Sequence, residues 1–133
     1  MPQPRKSNRL AGVIVGLLVL QYLLGMLANM YAEIPAKRPY EVFEQFGFIQ
    51  VHVYTGLLLL ILAIVFLVLS IRDNMYKAAA VGGLASMAFA FACGELFVFT
   101  QFDPWSLLMS LGFLGAFASY LRVLFKNAGD ART

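Results

Sequence analysis

Polar residues punctuate the chain and leave four long apolar runs between them: Leu10–Tyr31, Phe48–Ile71, Ala78–Thr100 and Pro104–Phe125. Each is long enough to cross a bilayer, which takes about 20 mostly apolar residues. Backbone groups in lipid must bond within their own segment, and four segments are too few to close a barrel, so the runs predict helices. The expected fold is all-α: a polytopic transmembrane four-helix bundle, antiparallel and up-down, in one domain over residues 1–133.

The segments between the runs predict two unlike hairpins. The first and second spans are joined by sixteen residues, "AEIPAKRPYEVFEQFG". Pro35 and Pro39 argue against a helix in the first half of this loop. The later "YEVFEQF" fits a short amphipathic helix at the interface, with Tyr40, Phe43 and Phe46 towards lipid. The third and fourth spans are joined almost directly. "FDPWS" reads as a helix start, with Asp103 as N-cap, Pro104 in the first helical position and Trp105 at the water boundary.

Composition sharpens the class. The chain is 61% hydrophobic and 13% charged, with mean hydropathy +0.78, against about 25% charged for an ordinary soluble domain. The formal charge of +3 raises nucleic acid as a partner. The basic residues lie outside the apolar runs, where they set topology, so nucleic acid is set aside and the bilayer is the expected partner. Arg5, Lys6, Arg9, Arg72, Lys77, Arg122, Lys126 and Arg132 fall on one side, and Lys37 and Arg38 on the other. Basic residues stay inside, so both termini and the 72–77 loop are expected on the cytoplasmic face of a bacterial inner membrane. The basic start resembles a signal peptide, but the first apolar run exceeds a signal core of about 7–15 residues and reads as a retained helix. Cys93 is the only cysteine, which leaves no disulfide within the chain.

Small residues mark where helices approach closely in lipid. They are Gly12 and Gly16 at GxxxG spacing, then Gly25 and Ala28, in the first span. The third span has Gly83, Ala90 and Gly94, and the fourth has Gly112, Ala116 and Ser119. Helix packing accounts for them, and dimerisation through Gly12 and Gly16 is the alternative.

Candidate chemistry is sparse. His52, the one histidine, lies roughly 6 Å below the outer boundary, and Glu95 on the third span roughly 7 Å below it. Ionisable groups in lipid usually face the interior and find partners, so these two are expected to pair. Asn29 and Gln50 reach a similar or shallower level, Tyr54 and Gln101 join them where the helix faces permit, and Gln21, Gly25 and Asn29 form a polar stripe on one face of the first helix. The group is either a proton-handling or ligand-binding pocket, or a polar clasp between helices. A third reading makes His52 a haem ligand, with Gly56 clearing space for a porphyrin on the same face and Met26, Met30 or a histidine of another subunit as second ligand. Cys93 and Glu95 are two residues apart and diverge, so no metal site is expected. No nucleophile motif or glycine-rich phosphate loop is present, which points away from an enzyme.

The stretch "FGFIQVHVYTGLLLLILAIVFLVLSIR", preceded by "LLGMLANMY", resembles the first hairpin of one half of haem A synthase. That resemblance implies His52 as an axial haem ligand. The fourth span has no histidine to complete the pair. Taken whole, the chain is more similar to small four-helix bacterial integral membrane proteins of uncharacterised activity. These carry "LLGM…N…P…H" in the first hairpin and "D-x-x-S-x-x-M-x-x-G-F" in the second, here Asp103, Ser106, Met109, Gly112 and Phe113. Small multidrug transporters share the helix count but place a carboxylate in the first helix, and Leu10–Tyr31 has none.

The leading functional expectation is a structural or accessory subunit of a membrane complex, with other membrane subunits or a second copy as partner. The alternatives are a haem-binding electron-transfer protein using His52, and a proton-coupled small-molecule transporter using His52 and Glu95.

Overall fold

The computed structural model describes residues 6–35 and 37–130; Arg5 and Arg132, counted above among the basic residues, lie outside them. The described residues contain helices and no strands. Four helices are long and apolar enough to cross a membrane: α1 (Lys6–Tyr31), α3 (Gly47–Arg72), α4 (Lys77–Thr100) and the Asp103–Lys126 part of α5 (Asp103–Asp130). A single 3-10 turn (Pro39–Glu41) and α2 (Val42–Gln45) lie in the loop before α3.

The buried positions of α3 step by three and four: Ile49, Leu59, Ala63, Phe66 and Ser70, with half-buried His52 and Gly56 completing the series. The inward face of α1 does the same through Ser7, Ala11, Ile14, Leu18, Gln21 and Gly25. A 3.5-residue repeat keeps one seam facing a neighbour and gives coiled-coil-like packing. A methyl built on Gly25 would lie 3.2 Å from His52 Cε1, and one on Gly56 would lie 3.1 Å from Gln21 Nε2. Numbers fall on one helix as they rise on the other, so α1 and α3 run antiparallel. The same register carries Ala11 opposite Phe66 and Ser7 opposite Ser70.

Helices α4 and α5 are also antiparallel and make the closest approach. Gly83 meets Tyr120, Gly115 meets Ser86, Gly112 meets Ala90 and the Ser86 carbonyl, and Gly94 meets Met109. Contacts of α3 with α4 and of α1 with α5 close the ring of four. Large and small side chains share levels: the Tyr120 ring, edge-on to Phe66 at 5.2 Å, fills the space that Gly83 leaves open.

The helix ends differ from expectation. Helix α1 begins at Lys6, about a turn before Leu10, and α5 continues past Phe125 to Asp130. Polar residues continue a helix freely once it leaves hydrocarbon, and hydropathy does not register them. Asp103 is the first residue of α5, not its cap: the Trp105 amide donates to the Phe102 carbonyl at 3.0 Å, which puts Phe102 in the cap position. Among the described residues of the α1–α3 loop, Val42 is buried, while Tyr40 is half exposed with its ring edge-on to Phe99 at 5.1 Å. The α3–α4 turn reverses the chain through Asn74 and Tyr76, both left-handed at φ 54° and 58°.

Candidate functional site

Two polar groups interrupt the α1–α3 seam at adjacent levels, Gln21 and His52. The Gln21 amide nitrogen donates to His52 Nε2 at 3.4 Å. That bond puts the imidazole proton on Nδ1, which is buried with no partner, as is Gln21 Oε1. Turning the carboxamide over exchanges donor and acceptor and leaves the same two positions unmet. Gly25 and Gly56 supply the room: with side chains there, the imidazole and carboxamide would be pushed aside. The result is a tight polar notch in an apolar seam, offering one unmet hydrogen-bond donor and one unmet acceptor.

The expected pairing of His52 with Glu95 is not what this seam builds. Among the described residues no hydrogen bond or ion pair joins them. Glu95 is half-buried on α4, whereas His52 faces α1 beside Ile49 and Leu59 on the inward seam. Depth matching fixed the level of each group and not its face. Tyr54 is 70% exposed and points outward. Gln101 caps α4 in a left-handed conformation, and its side chain donates to the Ile34 carbonyl at 3.3 Å, tying the α1–α3 loop to the α4–α5 turn. Gln50 does similar work, donating to the Phe43 carbonyl at 2.7 Å.

Asn29 belongs to a second place. It lines an open cleft of about 380 Å³ with Asp103, Ser106 and Ser110 of α5. The signal for this was present in the sequence, since positions 103, 106 and 110 share one helical face.

The notch does not fit a haem. His52 Nε2 already receives the Gln21 amide, and the space at Gly56 expected to admit a porphyrin holds the Gln21 side-chain end. Met26 and Met30 are 46% and 65% exposed on the outer face of α1, away from His52. Among the described residues no three His, Cys, Asp or Glu side chains gather as metal ligands.

The fold and the notch define a class: an all-helical bundle of four apolar helices with the length and composition of a multi-pass membrane protein. No protein-family profile, curated protein or solved structure matches the chain.

Proposed function

We propose that this chain is a multi-pass protein of the bacterial inner membrane that serves as a structural or accessory subunit of a membrane complex. In this reading the bundle is up-down with both termini cytoplasmic, supported by the basic residues gathered at one end. The subunit role is carried by Gly12 and Gly16. Nothing lies within 4 Å of a methyl at either, while Gly25, Gly56, Gly83, Gly94 and Gly112 each meet a neighbour. A glycine inside a helix costs about 1 kcal/mol relative to alanine. In lipid that cost is offset where a second helix comes close, and a methyl at either position would touch nothing in the monomer. Val13, Val19 and Leu20 beside these glycines are all exposed. A transmembrane helix of another chain is the occupant this surface suits.

A photo-crosslinking residue at Leu20, in intact membranes, tests the reading. A discrete protein adduct is expected, lost in the G12L/G16L variant; its mass separates a second copy from a different subunit. Adducts to lipid alone would refute it. Reporter fusions at both ends test the topology, and an outward C-terminus would overturn it.

The unmet atoms of the Gln21–His52 notch favour a second reading, a proton-coupled small-molecule transporter using His52 with Glu95 on the neighbouring helix. Proton flux into liposomes that is unchanged in His52→Ala would discard it.

A further inference from the structure

At the end of the bundle where α3 turns into α4, a cavity of about 220 Å³ is walled by residues 76–79 on one side and by Arg122, Val123 and Lys126 on the other. Three cations from two helices line it, and no acidic residue does. None of the three is ion-paired among the described residues. Lys126 lies over the Tyr76 ring at 5.8 Å, and the nearby Asp73 is engaged by Arg72 at 3.3 Å.

Topology alone asks for positive charge at one end of the bundle. It does not ask for that charge to converge. Arg122 and Lys126 are four apart on one face of α5, a spacing at which like charges repel. The antiparallel register that sets Gly82 against Ser119 then brings Lys77 beside them. Among the described residues no ion pair neutralises the trio. The first turn of α4 adds to the same field: Tyr76 provides no side-chain cap, and the amide of Ala80 is the first to bond back, to the Tyr76 carbonyl. The amides of residues 77–79 are therefore left for another acceptor.

We propose that this cavity binds the phosphate of an anionic phospholipid headgroup. The Arg122 guanidinium suits two phosphate oxygens at once, and Lys77 and Lys126 act as point charges. Its position selects lipid over a soluble anion. Lys77 opens one span and Lys126 closes another, so the cavity lies at the bilayer boundary. Val81, one turn along from Lys77, and Phe125, next to Lys126, are 56% and 69% exposed, and they continue apolar surface from the cavity towards the acyl chains.

The test is thermal unfolding of the full chain in nonionic detergent, titrated with phosphatidylglycerol, phosphatidylcholine or inorganic phosphate. A saturable rise in Tm is expected with phosphatidylglycerol alone. Each cation removed should weaken its apparent affinity about fivefold, in Lys77→Gln and more strongly in R122Q/K126Q. Lys77→Gln alters only the exposed first residue of α4, so it reads the site even if the double variant does not fold. K6Q removes one charge at the same end but outside the cavity and should keep the affinity. An equal loss in K6Q, or no loss in Lys77→Gln, would overturn the site. An equal response to phosphatidylcholine, or to inorganic phosphate, would overturn its assignment to an anionic lipid.

Discussion

Replacing Gln21 by methionine and His52 by leucine together separates two roles the notch can have. The bond between them is 3.4 Å long, beyond the usual upper bound of about 3.2 Å. Hydrogen bonds between membrane helices average only about 0.6 kcal/mol. Against this stand His52 Nδ1 and Gln21 Oε1, both buried and unmet, at about 1–3 kcal/mol each. The cost exceeds the gain, so an apolar pair of similar shape should be the more stable arrangement by at least about 1 kcal/mol. Q21M/H52L is therefore expected to unfold later than the wild type. Each single variant strands the surviving polar group in the seam and should fall below the double variant by about 1–3 kcal/mol.

The assay is unfolding by SDS titration in mixed micelles, followed by circular dichroism, with all four proteins of the cycle measured. A double variant clearly less stable than wild type would refute the reasoning and make the pair a structural clasp. A parallel cycle on His52 and Glu95 should give a coupling energy within error of zero, because no bond joins them. A coupling of about 1 kcal/mol or more there would mean that the two meet after all.

The packing gives further predictions. Gly112→Ala sets a methyl 2.9 Å from the Ser86 carbonyl oxygen on α4; overpacking of about 1–3 kcal/mol should outweigh the helix-propensity gain of about 1 kcal/mol. Gly12→Ala in the detergent-solubilised monomer meets nothing and should be neutral or stabilising, and SDS unfolding compares the two. The Tyr120 hydroxyl is buried without a partner, so Tyr120→Phe should raise stability by up to about 1 kcal/mol, whereas Tyr120→Ala should cost about 3–5 kcal/mol. The purified protein should be colourless, because His52 Nε2 faces the Gln21 amide and Nδ1 is buried in the seam; a Soret band that disappears in His52→Ala would contradict the geometry of the notch.

The lengths and number of the helices are legible in the sequence because desolvating a backbone in lipid demands long uninterrupted apolar runs, and these have few alternatives. Which way each helix faces is a harder question. In a soluble bundle the outward face is polar, so periodicity reveals the seam. Here the outward face meets lipid and is as apolar as the inside: Leu57, Ile61, Ile64 and Val68 of α3 are all exposed, and Leu59 and Phe66 are buried. Hydropathy therefore places His52 and Glu95 at one depth but says nothing about the direction of either. The pairing expected from depth failed for that reason.

What does distinguish inside from outside in α3 is side-chain size and polarity. His52, Gly56, Ala63 and Ser70 break an otherwise bulky aliphatic helix, and they all fall on the three-and-four spacing of the seam. In α1 the same rule picks out Ser7, Ala11, Gln21 and Gly25, which pair with them in antiparallel register. Gln21 and Gly25 four apart, facing His52 and Gly56 four apart, was thus a readable match. Large neighbours on both helices make the exceptions costly, so a small residue off the seam needs its own cause. Gly12 and Gly16 are such residues: they lie on α1 but outside its seam, and a methyl on either would meet nothing within 4 Å. The size rule that locates the notch thus also singles out Gly12 and Gly16, and that is the observation on which the proposed packing against a helix of another chain rests.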